Sequence, residues 1–349
     1  MFEYVGALHI HSFFSDGTGS PKEIAEIASE VGLDFIILTD HNTLRALDEG
    51  FEGWYGDTMM LVGVEINDRE LKNHYLAFGI NEAFSTRMPA REYVRKVKEA
   101  GGIGFIAHPH EKRKSMKEHP PFPWTEWEIE DFTGIEIWNH MSEWMEGLTE
   151  ENKYNRFVHP LSSISAPPEE TLKKWDELNL KRRVVGIGGI DAHAHKVNVL
   201  GFVEVEVFPY KVLFKSIRTH ILTERPIKKD DSEHSLEKTK AKIYGALEKG
   251  RCFVSNFNRG DAKGFRFFAE QGENVYLMGD SIAMPDNVVL RAVCPADNST
   301  IKVIRNGEVI EEVNSPSLSF LISEPGAYRV EVYRKKTAWI FSNHIRIGL

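Results

Sequence analysis

Short runs of consecutive apolar residues recur through the first 200 residues of the chain, and most of them end in a histidine or an acidic side chain. A continuous apolar run of this length is typical of a strand that is buried on both faces, as in a parallel sheet. The runs that predict strands are residues 4–11, 35–41, 59–65, 73–78, 104–110, 134–139 and 184–193. The sequence therefore predicts a set of short buried strands in this part of the chain.

Helical segments separate most of these strands. Ser20 and Glu23 are typical of the first turn of a helix, which Gly32 ends, and apolar spacing predicts further helices near residues 91–100 and 169–178. This alternation favours a parallel sheet with right-handed crossovers. Polar groups at the ends of nearly all the strands favour a closed barrel over an open doubly wound sheet, because a barrel brings every strand end to one face.

The pattern changes at about residue 264, after which short alternating runs replace the helical segments. Alternation of apolar and polar residues is typical of half-buried antiparallel strands, and Asn306-Gly307 is a strong hairpin signal. The runs that predict strands are residues 288–293, 300–305, 308–313, 318–322, 328–333 and 339–347. We therefore predict an α/β chain with a barrel in residues 1–255 and a smaller antiparallel β-sandwich in residues 256–349.

Composition narrows the class of protein. The net charge of −9 argues against an extended surface for nucleic acid. The two cysteines provide no disulfide framework, and we find neither a secretion signal nor an apolar run long enough to span a membrane. We therefore expect a cytoplasmic protein without a membrane partner, and a homo-oligomer is compatible with this composition. A single glutamine among many Glu and Lys residues is a trait of heat-adapted proteins and predicts thermostability.

Nine side chains of metal-binding type stand at or near the strand ends. His9 and His11 share one side of an extended strand, because side chains two residues apart point the same way. The nine are His9, His11, Asp16, His41, Glu65, His74, His108, Asp191 and His193. Six imidazoles and three carboxylates are too many for one ion, and mixed nitrogen and oxygen donors favour zinc, manganese or iron. The sequence therefore predicts two or three divalent transition-metal ions, a centre that suits hydrolysis of phosphate esters above all.

These motifs resemble those of the polymerase-and-histidinol-phosphatase (PHP) superfamily of metallohydrolases. The matching segments are His9-x-His11 with Ser15-Asp16-Gly17, Thr39-Asp40-His41-Asn42, Gly63-Val64-Glu65, Ala107-His108-Pro109 and Gly189-Ile190-Asp191-Ala192-His193. The resemblance covers roughly residues 1–225 and implies a distorted (β/α)7 barrel. The later segments Arg305-Asn306-Gly307 and Trp339-Ile340-Phe341-Ser342-Asn343 are similar to the β-domain of the carbaryl-hydrolase-like (CehA/McbA) branch.

The resemblance also implies how three ions share the ligands. One ion is held by His9, His11, Glu65 and Asp191, a second by Glu65, His74 and His108, and a third by Asp16, His41 and His193. Glu65 is then the bridging carboxylate, and a hydroxide that bridges two metals attacks the phosphorus. The expected catalytic residues are Glu65, Asp191 and His193. His140 competes with His108 for the second ion.

One departure from the family pattern concerns the substrate. Phosphatase relatives often carry an arginine three residues after the histidine of Ala-His-Pro, where this chain has Glu111. The residues that we expect to contact a small-molecule ester substrate are His110, Lys112, Arg113, His140 and His195. The leading prediction is a phosphoesterase for small phosphorylated metabolites or nucleotides. A carboxyl- or carbamate-ester metallohydrolase and a metal-stabilised binding module without catalysis are the alternatives. Glu136 either reaches the pocket or pairs with a nearby cation.

Overall fold

The computed structural model describes residues 1–113, 120–199, 203–229, 233–283 and 287–349. Strands and helices alternate in its first part. These elements are β1 (Phe2–Leu8), α1 (Pro21–Val31), β2 (Phe35–Leu38), α2 (Arg45–Asp48), β3 (Gly53–Tyr55), β4 (Thr58–Ile66), β5 (Tyr75–Phe78), α3 (Ala90–Glu99), β6 (Ile103–Ile106), β7 (Gly134–Asn139), α4 (His140–Glu146), α5 (Lys153–Val158), α6 (Glu169–Lys181) and β8 (Val185–Gly189).

A ring of strands forms the body of this first part. The strands pair in the order β1-β2-β4-β5-β6-β7-β8, and the ring closes where the chain beyond β8 meets the chain beyond β1. There the Ile190 amide donates to the Leu8 carbonyl (3.0 Å), and the Ala192 amide donates to the His9 carbonyl (3.3 Å). The α/β fold that the sequence predicts is confirmed, and these hydrogen bonds close it into a barrel.

One strand of the barrel, β5, runs against its neighbours. It pairs antiparallel with both β4 and β6, whereas the pairs β1–β2, β2–β4, β6–β7 and β7–β8 are parallel. The prediction of a parallel sheet therefore holds for these four pairs and fails at β5, because no helix separates β5 from β4 and a short connection joins antiparallel rather than parallel strands. The reversal places His74, which precedes β5, at the same end of the barrel as the residues that follow β4 and β6.

The sequence determines both ends of α1. The Ser20 hydroxyl accepts from the Glu23 amide (3.2 Å), and the Glu23 carboxylate accepts from the Ser20 amide (2.9 Å). This reciprocal pair is a capping box. Gly32 ends the helix with φ = 78°, a left-handed conformation that glycine adopts without steric cost. The predicted start and end of this helix are confirmed.

Strands dominate the rest of the described chain. The elements are β9 (Lys196–Val199), β10 (Val203–Glu206), α7 (Tyr210–Leu213), β11 (Ile217–Thr223), α8 (Glu233–Glu248), β12 (Cys252–Asn256), β13 (Arg266–Gln271), β14 (Asn274–Leu277), β15 (Ser281–Ile282), β16 (Val289–Val293), β17 (Ser299–Arg305), β18 (Glu308–Asn314), β19 (Ser317–Leu321), β20 (Gly326–Arg334), β21 (Thr337–Ser342) and β22 (Ile345–Ile347). None of the helices in the described ranges is both long enough and apolar enough to cross a membrane.

Two sheets form a sandwich in the C-terminal part. One is the antiparallel sheet β14-β13-β16-β19, and the other contains β17, β18, β20 and β21. Side chains from both sheets share one apolar core, which includes Phe267, Leu290, Val303, Val330 and Ile340. The predicted antiparallel β-sandwich is confirmed, since its two sheets bury their facing sides against each other.

The barrel and the sandwich are joined by continuous strand pairing. β11 pairs with β1 of the barrel and with β12, which in turn pairs with β21 of the sandwich. The predicted boundary between residues 255 and 256 falls inside β12, so hydrogen bonds between strands cross it. The division of the chain into two domains at this position stays a prediction.

The last predicted strand, residues 339–347, is two strands in the structure. Asn343 and His344 separate β21 from β22 because their side chains bond to the barrel part instead. Asn343 Oδ1 accepts from the Gly186 amide, and His344 Nε2 donates to Asp176 Oδ1, both at 2.7 Å. The prediction of one uninterrupted strand is therefore wrong at these two residues.

A buried ion pair joins α6 to β20. Nε and Nη2 of Arg329 donate to the two carboxylate oxygens of Asp176 at 2.7 and 2.8 Å, and Nη1 donates to Glu331 at 2.6 Å. Burial by itself raises the pKa of the Asp176 carboxyl, but the Arg329 guanidinium outweighs burial and holds the pKa well below its usual range. The ion pair therefore couples the barrel to the sandwich through charges that are shielded from water.

Candidate metal centre

The nine predicted metal ligands lie together at one end of the barrel. Four of them follow one of the strands β1, β2 and β6, and the others lie in β4, before β5, beyond β8 or in the loop before α1. In chain order the ligands are His9 and His11 after β1, Asp16 before α1, His41 after β2, Glu65 in β4, His74 before β5, His108 after β6, and Asp191 and His193 after β8. Side chains from residues that are far apart in the sequence thus meet at one end of the barrel.

His9 lies outside the regular strand. β1 ends at Leu8, and the backbone of His9 is left-handed with φ = 63°. The predicted strand at residues 4–11 is therefore too long at its C-terminal end. The two imidazoles still converge, because the ring centroids of His9 and His11 are 5.2 Å apart.

Five imidazoles surround the buried carboxylate of Glu65. Oε2 lies 3.1, 3.2 and 3.3 Å from ring nitrogens of His9, His11 and His41, respectively. Oε1 lies 2.7 Å from Nδ1 of His74 and 3.3 Å from Nε2 of His108. Glu65 therefore occupies the centre of the cluster, the place of a carboxylate that bridges ions.

The other two carboxylates face the remaining ring nitrogens. Asp191 Oδ1 lies 3.5 Å from His9 Nε2, 3.4 Å from His11 Nε2 and 3.6 Å from His193 Nδ1. Asp16 lies on the outer side, with Oδ1 3.3 Å from His193 Nε2 and 3.6 Å from His11 Nδ1. His11 and His193 therefore stand between the two carboxylates.

These distances define four overlapping groups of ligand atoms. The atoms of each group all lie within 4.8 Å of one another, which is close enough for them to bind one ion. The groups are His9, His11 and Asp191; His9, Glu65 and His108; His41, Glu65 and His74; and His11, Asp16, His41 and His193. Because members recur between groups, ions bound in two of these groups would be neighbours that share ligands. The assignment of each ligand to a particular ion stays a prediction.

The buried ring nitrogens fit divalent ions. Within the described part of the chain, Nε2 of His9 and both ring nitrogens of His11 are buried and make no hydrogen bond, although carboxylate oxygens approach them at 3.1–3.6 Å. Buried polar atoms without a partner are costly. An ion placed between these nitrogens and the carboxylates of Glu65 and Asp191 satisfies both sides, so the donor set fits the metals that the sequence predicts.

The electrostatics of the cluster also favour cations. Burial lowers the pKa of His11, but the carboxylates of Asp191 and Glu65 outweigh burial and raise the pKa to about 10. Burial raises the pKa of Glu65, but the imidazoles around it, with His9 foremost, hold the pKa well below its usual range. Burial lowers the pKa of His41 to about 4, because the carboxylates of Glu65 and Asp16 do not outweigh burial and the neighbouring imidazoles there. The carboxylates are therefore ionised and attract positive charge to the centre of the cluster.

Three of the ligands share an uncommon backbone conformation. The angle φ is 63° at His9, 26° at His108 and 53° at Asp191. Residues other than glycine adopt such conformations at a cost, and they persist only where the surroundings enforce them. The hydrogen bond from the Ala192 amide to the His9 carbonyl (3.3 Å) is one such restraint.

Glu136 on β7 provides a second restraint on these ligands. Its Oε1 accepts from Nδ1 of His9 (3.0 Å), and its Oε2 accepts from the backbone amide of His108 (2.8 Å) and from Nδ2 of Asn139 (2.9 Å). A carboxylate only accepts, so His9 carries its proton on Nδ1 and presents Nε2 to the cluster. Glu136 therefore reaches the site, and Asn139, which the sequence analysis missed, stands at the end of the same apolar strand.

A cavity of about 570 Å³ opens beside the cluster. Seven of the nine predicted ligands line one side of it: Asp16, His41, Glu65, His74, His108, Asp191 and His193. The rest of the lining is mostly apolar and includes Leu71, Phe122, Met141, Trp144, Met145, Phe157, Val207 and Phe208. The ligand cluster is therefore accessible to a small molecule, which would contact metal ligands on one side and apolar side chains on the other.

Two of the five predicted substrate-binding residues, Arg113 and His195, line this cavity. The Arg113 guanidinium is engaged by Glu111, whose Oε1 accepts from its Nε (2.8 Å) and Nη2 (2.5 Å). Glu111 is buried and also accepts from the Phe122 amide (2.9 Å). The residue that departs from the family pattern therefore neutralises the arginine beside it. His195 stacks on His193, with ring centroids 5.0 Å apart.

The other three predicted substrate-binding residues do not line the cavity. Lys112 pairs with Glu170 on α6 at 2.5 Å, and His110 shares a hydrogen bond of 3.0 Å with Thr171 on the same helix. His140 is fully buried, and burial lowers its pKa to about 3, so its imidazole is neutral. His108, rather than His140, contacts Glu65. The role of these residues in binding substrate stays a prediction.

Comparison with known proteins gives a family and several more distant likenesses. Residues 7–195, more than half of the chain, match the PHP domain family. The uncharacterized protein MJ1587 of Methanocaldococcus jannaschii is 28% identical over 116 residues, which span 30% of this chain and 66% of that protein, just under two thirds of its length.

Two solved structures are similar at low sequence identity. A two-domain protein from Bacteroides vulgatus that contains a predicted PHP-like metal-dependent phosphoesterase is 14% identical, with a TM-score of 0.45 over 98% of this chain and 95% of that chain. A protein from Bifidobacterium adolescentis, described provisionally as a metal-dependent phosphoesterase, is 18% identical, with a TM-score of 0.34 over 58% of this chain and 92% of that chain. The similarity of the C-terminal sandwich to the CehA/McbA branch stays a prediction. The match over residues 7–195 shows that this chain belongs to the PHP domain family.

Proposed function

We propose that this protein is a metal-dependent hydrolase of small phosphate esters, such as phosphorylated metabolites or nucleotides. The observation that supports this most strongly is the Glu65 carboxylate, which five imidazoles surround at 2.7–3.3 Å beside an open cavity of about 570 Å³. Two or three divalent ions, such as zinc, manganese or iron, lower the pKa of a water molecule and neutralise phosphoryl oxygens when they are bound at such a site.

Three residues carry the catalytic roles in this proposal. Glu65 holds neighbouring imidazoles around both of its oxygens. Asp191 Oδ1 approaches two of the same ring nitrogens, those of His9 and His11, and Nδ1 of His193 at 3.4–3.6 Å. His193 lines the cavity, with its Nε2 3.3 Å from Asp16. This position allows His193 to hold an ion together with Asp16 at the edge of the cavity, where a substrate oxygen would bind.

A carboxyl- or carbamate-ester hydrolase is the second candidate, and one observation favours it. Among the described residues that line the cavity, Arg113 is the only lysine or arginine, and Glu111 neutralises it. A phosphate dianion gains less from a paired guanidinium than from a free one. The same metal cluster would serve a carbonyl ester, because divalent ions also polarise carbonyl groups.

Turnover of three esters of one chromophore separates these candidates. Metal-supplemented protein is assayed with 4-nitrophenyl phosphate, bis(4-nitrophenyl) phosphate and 4-nitrophenyl acetate, and kcat/KM is compared. We expect a phosphoester to be the best substrate. A preference for the acetate by several orders of magnitude would contradict phosphoester hydrolysis and support the second candidate. Absence of turnover in fully metal-loaded protein would contradict both and favour a binding module.

Variants and metal analysis test the residue roles. Glu65→Gln and Asp191→Asn should abolish turnover while circular dichroism shows the native fold, because each removes a charged ligand of the cluster. The matched control is Glu49→Gln, which changes an exposed carboxylate that pairs with Arg45. Elemental analysis should find two or three transition-metal ions per chain. One ion or fewer would contradict the shared-ligand arrangement.

A further inference from the structure

The cavity wall that faces the metal ligands is built from a packed aromatic cluster. Trp144 on α4 contacts Phe157 on α5 and Phe208, with ring centroids 4.9 and 4.6 Å apart. The rings of Phe157 and Phe208 are nearly parallel, with an interplanar angle of 13°. The indole Nε1 of Trp144 donates to the Arg156 carbonyl (3.1 Å), so the polar atom of this ring is satisfied within the protein. The cluster therefore offers carbon surface to the cavity.

A second aromatic surface stands next to the metal ligands. The ring of Phe122 stacks on the imidazole of His74, with centroids 4.9 Å apart and an interplanar angle of 13°. The guanidinium of Arg113 lies 5.4 Å from the centre of the same ring. Since Glu111 neutralises Arg113, this part of the wall carries no net charge.

The mouth of the cavity is apolar as well. Phe157 is 43% exposed and Leu71 is 59% exposed, although both line the cavity. The amide side chains of Asn42 and Asn67 also line the cavity, but they pair with each other, since Asn42 Nδ2 donates to Asn67 Oδ1 at 2.5 Å. A polyhydroxylated or multiply charged leaving group would lose its hydration here without gaining matching partners. Apolar side chains line the cavity both next to the metal ligands, at Phe122, and at the exposed positions Phe157 and Leu71.

We propose that the substrate is a phosphate ester of an apolar alcohol, whose hydrocarbon or aryl group lies against Phe122, Trp144, Phe157 and Phe208. This inference rests on the proposed function, because it places the phosphoryl group at the metal cluster. A cavity of about 570 Å³ has the size of sites that enclose a complete small molecule. Each methylene that the wall removes from water should tighten binding about fourfold, the equivalent of ~0.8 kcal/mol.

Binding of alkylphosphonates tests the wall without any turnover. Ethyl-, butyl- and hexylphosphonate, which are not hydrolysed, are titrated calorimetrically into the metal-loaded protein. We expect Kd to fall about fourfold per methylene. Equal Kd values along the series, or tighter binding of the hydrophilic 2-hydroxyethylphosphonate than of butylphosphonate, would overturn the proposal.

Two phenylalanine variants locate the binding surface. Phe157→Ala should reduce the gain per methylene, whereas Phe2→Ala should leave it unchanged. The two side chains are equally exposed, 43% and 45%, so truncation of either opens no cavity in the core. Phe2 begins β1, at the opposite end of that strand from His9. An identical dependence on chain length in Phe157→Ala and wild type would overturn the proposed placement.

Hydrolysis of matched esters distinguishes the failure of this inference from that of the proposed function. Ethyl, butyl and hexyl phosphate have leaving groups of similar acidity, so kcat/KM reports contact with the wall. Turnover of all three at equal kcat/KM would overturn the apolar-alcohol inference and leave the phosphoesterase intact. Turnover of the corresponding alkyl acetates alone, rising with chain length, would overturn the phosphoesterase and support the apolar wall.

Discussion

Replacement of Glu136 by glutamine is the substitution that most directly tests how the protein positions its metal ligands. The carboxylate accepts three buried hydrogen bonds, from His9 Nδ1, the His108 amide and Asn139 Nδ2. Glutamine is nearly isosteric but replaces one accepting oxygen with an NH2 donor. If the NH2 faces His9, the imidazole must accept at Nδ1 and carry its proton on Nε2, the nitrogen that faces the cluster. If it faces the other way, the donors of His108 and Asn139 lose their acceptor.

The size of the effect follows from these hydrogen bonds. A hydrogen bond to a charged group contributes about 1.5–3 kcal/mol, and about 1.4 kcal/mol corresponds to tenfold in an equilibrium constant. Glu136→Gln should therefore weaken the tightest metal site by about tenfold to a hundredfold, in the range known for residues that orient metal ligands. Calorimetric titration of Mn²⁺ or Zn²⁺ into chelator-treated protein measures this Kd without reference to activity.

Glu143→Gln is the matched control for this substitution. Glu143 lies on the neighbouring helix α4 and also accepts several hydrogen bonds. Two of them come from Trp138 Nε1 (2.7 Å) and from the Ser165 amide (2.6 Å). Its loss should lower Tm but leave the metal Kd unchanged. Metal binding within twofold of wild type in Glu136→Gln would refute the positioning role, and equal weakening in both variants would show a general loss of packing.

Gly189→Ala is a second substitution that should disturb the Glu136 carboxylate. A Cβ at Gly189 would collide with Glu136 Oε1 and would lie 2.8 Å from Cβ of His9. The Glu136 carboxylate cannot move aside without breaking the hydrogen bonds that hold both of its oxygens. Gly189→Ala should therefore reproduce the weaker metal binding of Glu136→Gln, and normal metal binding in this variant would contradict the geometry.

The remaining predictions concern stability. Asp176→Ala removes two of the three hydrogen bonds that the buried guanidinium of Arg329 donates to carboxylates and leaves, among the described residues, only Glu331 as its partner. This substitution should lower the free energy of unfolding by about 3 kcal/mol in urea denaturation, whereas Glu49→Ala, at an exposed pair, should change it by less than about 0.5 kcal/mol. Burial raises the pKa of the Asp176 carboxyl, but the Arg329 guanidinium lowers the pKa by more. The stabilisation that Asp176 contributes is therefore present above about pH 4 and is lost as the pH falls through the folded-state pKa. Asp176→Asn should reduce the dependence of stability on pH in the acidic range. Removal of divalent ions with a chelator should lower Tm, because the ligands are assembled only in the folded chain, and an unchanged Tm would contradict a metal centre. Ser20→Ala removes the capping box of α1 and should cost about 1 kcal/mol.

Local pattern was sufficient to predict the strand ends that carry ligands. His41 and Glu65 each end an apolar run, and parallel strands bring such ends together regardless of what lies between them. The apolar pattern did not predict the direction of β5, because β5 is as apolar as the parallel strands of the barrel. His74 reached the correct face only because the strand that follows it is reversed.

Pairing between distant residues explains what the sequence analysis missed. The strand β11 is fully buried, yet its Arg218 and His220 hide the apolar pattern. His220 is satisfied by Glu3 and Ser255, both at 2.9 Å, from β1 and β12. Such partners are invisible in a local window. The prediction for Arg113 has a different shortcoming. The sequence analysis treats Arg113 as a free cation, whereas the structure shows that Glu111 pairs with it.

The C-terminal sandwich supports the metal centre through α6. On one side of this helix, Asp176 accepts from Arg329, and the Asn179 carbonyl accepts from Arg346 Nε (2.8 Å). On its other side, Thr171 bonds to His110, two residues after the ligand His108. Displacement of α6 therefore disturbs the segment that holds His108 in its strained backbone conformation, φ = 26°. β20 fixes the helix through the buried Arg329–Asp176 ion pair, and β22 does so through the half-buried Arg346. The sandwich therefore restrains a ligand that it does not contact.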